Sequence, residues 1–383
     1  MRRILIPLAL ALVTALGGSL TTPSAYAATG PTSVQLAGAG FGHGRGMSQY
    51  GAKGMAEAGK TYGDIARFYY PGTSWGTAGG NISVHITEDT TSDVLVAARS
   101  GLTLRALTSG RTWNLNRSGA RRWRIVPVYG GASSRLLVLT TSWQIVRTVR
   151  GQAQFSAGGA PMRLYYPGGS RTYRGVLRSA GGSTRDTVNV VSLETYLRGV
   201  VPQEMPALWS RAAVQAQSVA ARTYAAYRRQ SPLTSRYQIC DTSACQVYGG
   251  AAAEYPASDA AVKATAGRIL TYGGTPAFTE FSASDGGYTV AGDHPYLTAH
   301  RDAYDHYPAW TVTLQTAAIE KAYPQLGDFQ GIGTIVYDRP DAYGRVETLT
   351  LKGIKNGAPT SVSVDGDAFR IIFGLKSTMF HPV

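Results

Sequence analysis

Acidic side chains are the main shortage in this sequence. The chain holds 23 Asp and Glu against 37 Lys and Arg, a formal net charge of +14. From Val94 to Arg185 there is no Asp, Glu or Lys, yet fifteen Arg fall in that stretch. A field of one sign attracts polyanions. For an exported chain these would be wall polymers, anionic lipid headgroups or extracellular nucleic acid. The plainer reading is a surface kept soluble by Arg. Cysteine is scarcer still: only Cys240 and Cys245 are present. Two cysteines with four residues between them suit a small disulfide loop in an exported protein. A zinc site needs about four ligands at fitting distances, and no His or third Cys lies close by. His294, His300 and His306 recur at six-residue spacing, which puts no two on one helical face. Beyond residue 27 no apolar run reaches the roughly 20 residues that a bilayer span needs. The dinucleotide fingerprint G-x-G-x-x-G is missing from the Gly-rich opening, and FSASDGG (281–287) is not a G-x-S-x-G elbow.

What is present begins with an export signal. Arg2 and Arg3 precede a nearly unbroken apolar run from Ile4 to Leu16, followed by Ala25-Tyr26-Ala27. Residues 1–27 therefore read as a secretory signal peptide, cut after Ala27. The remainder exceeds one typical core, so two folding units, or one domain with a large appendage, are expected. Residues 47–58 and 62–69 read as short helices separated at Gly59, with Pro71-Gly72 as a turn. From Asn81 to Thr187, short β-branched and aromatic runs alternate with Gly, Ser and Asn, the pattern of a barrel or sandwich. TVNVVSLETYLRGVV reads as a strand and a short helix. PALWSRAAVQAQSVAARTYAAYRRQ reads as the strongest helix, with Pro206 in its first turn, Pro232 as its stop and Gln215, Ser218 and Arg222 as a polar stripe. ASDAAVKATAG reads as a further helix, ending at Gly267. The fold class is α+β, a mixed core with a largely β, Arg-rich segment.

Glu204 is the only acid between Glu194 and Asp241, and its neighbours are Val, Pro, Met and Trp209. An apolar pocket disfavours the charged carboxylate, raises its pKa and prepares a general acid. A position just before the long helix would pull the other way through the macrodipole. A helix-capping role is the competing reading. The stretch GAGFGHGRGMSQYGAKGMAEAGKTYGDIARFYYPGT, from Gly38 to Thr73, surrounds His43 with alternating Gly that permit close backbone approach. A lone histidine of this kind serves as a ligand-binding donor, a proton carrier or a structural residue.

Several separated motifs together resemble the SpoIID/LytB family (stage II sporulation protein D and amidase enhancer). They are GHGRGMSQYGA…YYPGT, NVVSLETYLRGVVPQEMPALW…AAVQAQSVAARTYAAY, CDTSACQVYGGAAAEY, FSASDGG and FRIIFGLKSTMF. The family's usual order puts the GHG segment after the FGLKSTMF-like segment, whereas here it comes first, so the resemblance implies a circular permutation. Val383 should then lie near residues 34–40, and His43 should face the same cleft as Glu204. The division implied is residues 28–75 and 166–383 as one catalytic core, with 76–165 as the basic β segment. The resemblance implies a secreted lytic transglycosylase that cleaves MurNAc–GlcNAc bonds and leaves 1,6-anhydro ends, with Glu204 as the single general acid/base. The alternative is a non-catalytic wall-binding modulator of an N-acetylmuramoyl-L-alanine amidase. Arg222, Tyr224, Gln246, Tyr248, Ser282, Ser284, His43 and Gln49 are the implied sugar contacts. Some family members carry a Cys/Cys/His zinc site near the CQVY segment. The missing His here favours a disulfide between Cys240 and Cys245, with no metal or other cofactor. Expected partners are peptidoglycan glycan strands, anionic wall polymers through the basic segment and a wall amidase, but no nucleic acid.

Overall fold

Alternation decides the first half of the chain. Val94–Ala97 and Ser133–Leu139 bury every second residue, the period of a strand with one face on a core. The computed structural model describes residues 30–383, so the signal-peptide reading of residues 1–27 lies outside the described residues. Seven helices occur among the described residues: α1 (Gln49–Glu57), α2 (Tyr62–Tyr69), α3 (Leu193–Glu204), α4 (Arg211–Gln230), α5 (Pro256–Ala264), α6 (Thr316–Ala322) and α7 (Gly366–Phe373). The described structure is 23% helical and 37% strand, which makes it α+β with largely β portions.

The Arg-rich segment forms most of two sheets, antiparallel except where Ile239–Cys240 runs parallel to Asn81–His85. One has six strands, running in space from Trp143–Arg150 through Ser133–Leu139, Arg122–Val128, Val94–Ala97 and Met162–Tyr166 to Gly169–Tyr173. The other has seven and includes Asn81–His85, Arg185–Ser192, Val176–Gly181 and Ala153–Ser156. Val96, Ile125 and Val138 of the first sheet, and Leu104, Phe155 and Leu177 of the second, are buried in one hydrophobic cluster. Sheets that share a core in this way form a sandwich. The same cluster continues into α1 to α5 through Met55, Ile65, Val200, Val219 and Val262. A boundary at residue 165/166 falls inside the strand Met162–Tyr166. A second cluster gathers Leu36 with Trp310, Phe329, Leu351, Phe369 and Phe380.

The first described strand, Ser33–Gly38, lies between Trp310–Gln315 and Phe380–Pro382, antiparallel to both. Gly38 opposes Phe380, Leu36 opposes Pro382, and the Val383 N–H donates to the Gln35 carbonyl at 3.0 Å. The FGLKSTMF segment is thus hydrogen-bonded to the start of the GHG segment, with Ala39 N–H on Met379 O and Gly42 N–H on Lys376 O. Val383 lies where the permuted motif order requires it.

Two helix boundaries differ from the sequence reading. The long helix α4 starts at Arg211 after Ser210, and Pro206–Ser210 is a turn before it, with Leu208 exposed. Glu204 is the last residue of α3, whose final turn contains Pro202. It therefore stands at a helix C-terminus, where the macrodipole raises a carboxyl pKa instead of lowering it. Pro202 removes one N–H from that turn, yet the helix runs two residues past it to Glu204.

Candidate active site

A cleft of about 550 Å³ opens between α4, the end of α3, the GHG segment and the residues just before FSASDGG. Glu204, His43, Gln49, Tyr224 and Ser282 all line it. Five of the nine residues named from the sequence thus meet at one place, although His43 and Glu204 are 161 positions apart.

Glu204 is half-buried, with Val201 and Met205 beside it fully enclosed. Burial pushes its carboxyl up to about 7, against a smaller opposing effect of the Val247 N–H. That N–H donates to Glu204 Oε1 at 2.6 Å. A carboxyl in this state is substantially protonated at neutral pH and close to the equal-populations point that suits proton transfer in both directions.

His43 reaches the cleft because the chain around it can press on its neighbours. Met47 and Ser48 pair in parallel with Phe281 and Ser282, and Phe41 bridges Ser284. At Gly46 (φ +65°) a Cβ would lie 2.0 Å from the Glu280 carbonyl oxygen, so only glycine permits this approach. The His43 Nδ1 accepts from the Arg45 N–H at 3.0 Å. Burial, followed by the charge of Arg45, lowers its pKa to about 4. The ring is therefore neutral at physiological pH. With Nδ1 used as acceptor its proton sits on Nε2, which makes it a donor.

The structure adds two cleft residues that the sequence reading missed. Glu280 also lines the cleft, held by Arg45 through Nε to both carboxylate oxygens at 3.1 Å and Nη2 to Oε1 at 3.0 Å. Arg228 lines the opposite wall, stacked over Tyr224 and Phe278 at 5.3 and 5.1 Å. Each had a faint signal: Glu280 is the acid just before FSASDGG, and Arg228 lies one helical turn beyond Tyr224 on α4. The neighbouring acids Glu194 and Asp285 are not in the cleft lining.

Four expected sugar contacts are corrected by their burial. Arg222 is fully enclosed, and its guanidinium forks onto Glu194 with two bonds of 2.8 Å while donating to the Val262 carbonyl. Gln246 is also enclosed, receiving the Tyr196 hydroxyl and donating to Ala221 O. Tyr248 gives its hydroxyl to Asn189 at 2.8 Å inside the core. Ser284, enclosed as well, donates to Asp305 Oδ2 at 2.7 Å. These four hold the cleft walls in position, and none lines the cleft.

Asp305 is the hub beneath the GHG and FSASDGG segments. Its Oδ2 accepts from the hydroxyls of Ser48 and Ser284 and from the N–H groups of Asp285 and Gly286. Asp285, Asp302 and Asp305 bring carboxylate oxygens within 4.8 Å of one another in the interior. Burial, then the charges of Asp302 and Asp305, drive the Asp285 pKa far above the carboxylate range. Burial opposes ionisation of Asp305 too, but hydrogen bonds from Asp285, Ser284, Tyr307 and Ser48 outweigh it and leave its pKa below the usual value. Cys240 and Cys245 are joined in a disulfide. The bridged loop contributes Ser243, Ala244 and Cys245 to the cleft rim, just ahead of Val247.

Fold and cleft together define a mixed α+β protein with a groove built around one protonable carboxyl. Residues 181–272 match the family model described as "Stage II sporulation protein". The matched span contains α3, α4 and Glu204, but not His43, Gln49 or Ser282. Over 185 residues the chain is 39% identical to the amidase enhancer of Bacillus subtilis (strain 168), covering 46% of this chain and 24% of that one. It is 28% identical over 224 residues to stage II sporulation protein D of Bacillus amyloliquefaciens, covering 52% and 62%. A 34-residue stretch is 68% identical to stage II sporulation protein D of Bacillus subtilis (strain 168), covering 9% of this chain and 10% of that one. The chain thus spans less than two thirds of the length of each of these relatives. These matches support the chain's resemblance to the SpoIID/LytB family. No helix among the described residues is long and apolar enough to cross a membrane.

Proposed function

We propose that the chain is a wall-associated lytic transglycosylase acting on peptidoglycan glycan strands. The observation that carries this reading is Glu204: one carboxyl, raised to about 7 by burial, facing a cleft large enough for sugar rings. Protonated Glu204 donates to the oxygen linking N-acetylmuramic acid to N-acetylglucosamine, and that C1–O bond breaks. The resulting carboxylate then takes the proton of the muramic 6-hydroxyl as its oxygen closes onto C1. The acid is regenerated, no water is consumed, and a 1,6-anhydro end is left. His43 Nε2–H, the Gln49 amide and the Ser282 hydroxyl supply directional partners for N-acetyl and hydroxyl groups, and Tyr224 and Phe278 carry Arg228, whose guanidinium offers further donors. Arg45 keeps Glu280 in a fork that neutralises it, which supports a one-carboxyl mechanism.

Mass spectrometry of denuded glycan after digestion tests this directly. The wild type is expected to release anhydro-muramyl products, and Glu204→Gln to lose about 10²–10⁴-fold of that rate. Products carrying the elements of one added water would instead assign hydrolysis, with Glu280 as the second carboxylate. The relative named amidase enhancer supports a second reading, a binding protein that modulates a wall amidase. That reading predicts wall binding without bond cleavage and indifference to Glu204→Gln.

A further inference from the structure

A second cavity, of about 600 Å³, lies in the Arg-rich β segment and plays no part in the Glu204 chemistry. Its polar lining consists of Arg99, Ser100, Asn114, Asn116 and Arg117, with Trp123 beside them and no carboxylate. Trp123 is 2% exposed and its indole N–H has no acceptor. That N–H is itself enclosed, so it is an unpaired donor within the cavity wall and not a contact open to solvent. The side chains of Ser100, Asn114, Asn116 and Arg117 form no hydrogen bond or ion pair with any described residue. The Arg99 guanidinium is fixed at the cavity by donating to the carbonyls of Ser100 and Pro161. With Arg117 idle and no acid in the lining, the cavity suits an anionic oxygen group.

We propose that this cavity is a binding site for a phosphodiester group of an anionic wall glycopolymer. Its surroundings favour a polymer over an isolated phosphate. Of the fifteen Arg between Val94 and Arg185, Arg124, Arg171 and Arg174 are paired with carboxylates. Arg178 and Arg185 are spent on Gln154 and on Ser134 with nearby carbonyls. Arg99 is held by the carbonyls of Ser100 and Pro161. Nine are left with neither an acidic partner nor a side-chain hydrogen bond among the described residues, enough to follow a repeating charge along the surface. The aromatic residues of the same segment argue against nucleic acid. Arg147 and Arg111 cover Trp113, Arg122 covers Tyr165, Arg124 covers Trp143 and Arg135 covers Tyr129. Guanidinium groups already occupy ring faces on which bases would stack. The assignment does not depend on Glu204 or on any bond cleavage.

The test is titration calorimetry of the whole protein with poly(glycerol phosphate), and with a thymidine 20-mer as the second probe, at about 150 mM salt, where diffuse attraction is screened. Arg99→Ala/Arg117→Ala is expected to weaken poly(glycerol phosphate) binding about ten-fold or more. Arg150→Ala/Arg163→Ala, which removes two unpaired Arg outside the cavity, should weaken it less than about three-fold. Trp123→Phe keeps the ring and deletes only the enclosed donor in the wall, so it should change binding less than about three-fold. Unchanged circular dichroism spectra confirm folding of each variant, and anhydro-product release should be the same in all three. Equal losses in the two Arg pairs, or equal affinity for the thymidine 20-mer, would overturn the proposal in favour of a diffuse basic surface or a nucleic-acid site. Loss of glycan cleavage with polymer binding intact would instead count against the transglycosylase reading alone.

Discussion

Glu204 is placed so that nearly every local influence favours its proton. Apolar neighbours remove water, the helix end presents carbonyls, and only the Val247 N–H favours the anion. If the protonated form does the chemistry, kcat/KM should fall as pH rises through about 7, ten-fold per pH unit on the alkaline side. A pH profile on soluble glycan fragments checks this; an alkaline limit set near pH 4 to 5 would show an ordinary, solvated carboxyl. Asp285 obeys the same physics without contact with the cleft. Its folded pKa is raised, so the folded state takes up a proton that the unfolded chain releases above about pH 4. Stability linked to this group is full below that pH and is lost as pH rises toward the folded pKa. Asp285→Asn keeps the shape and a donor toward Asp305 while removing the proton uptake. Urea denaturation at pH 8 should find it more stable than wild type by about 1–3 kcal/mol. Asp305→Asn, which weakens the acceptor of two hydroxyls and two N–H groups, should cost about 2–4 kcal/mol. The reverse order at pH 8 would show that Asp285 is ionised in the fold.

The loop from Cys240 to Cys245 shows how a short element tunes a distant residue. It forms part of the cleft rim, and two positions later Val247 delivers its N–H to Glu204. Closing so small a loop restricts the unfolded chain by about 2 kcal/mol. Without the bridge, the Val247 N–H loses its fixed position and the one influence lowering the Glu204 pKa weakens. Cys240→Ser/Cys245→Ser should therefore lower the melting temperature, reduce kcat and move the alkaline limb of the pH profile upward. A lower melting temperature with an unmoved limb would unlink the loop from Glu204. At this scale the sequence was legible wherever period alone decides, as in the β runs, α1 and α2. It was less legible where two punctuation signals competed, as with Pro206 against Ser210 for the start of α4. It failed where the side of an element mattered. Arg222 and Ser218 share a stripe on α4, but a stripe does not say whether it faces water or α5. Gln246 and Tyr248 flank Val247 in an extended stretch, so both turn inward together. Arg228 and Glu280 reach the cleft only through the tertiary fold, and their local signals, a helical turn beyond Tyr224 and an acid before FSASDGG, are too faint to single them out.

Across the whole molecule, the strongest tie between sequence and structure is the meeting of widely separated motifs. GHGRGMSQ runs beside TEFSASDG through paired backbone, and FGLKSTMF runs beside Gly38–Gly42. Arg345, nearly fully buried, fastens the junction by donating to the carbonyls of Gly42 and Asp285. These contacts support a permuted order, in which connectivity changes while the cleft is preserved. If that reading holds, the present connection between the GHG segment and the β segment is dispensable, and the antiparallel pair Ser33–Gly38 with Phe380–Pro382 can be joined as a hairpin. An Asn-Gly insert from Val383 to Thr32 would close it as a five-residue loop, since Val383 already bonds to Gln35. New ends can open between Gly79 and Gly80, both exposed and between strands. The relinked protein should fold with a melting temperature within about 5 °C of the parent, a shift worth roughly 1 kcal/mol, and retain the glycan products of the parent. Loss of cooperative unfolding in this variant, with the Asn-Gly closure alone tolerated, would mean that the connection through residues 74–81 has become essential to the cleft.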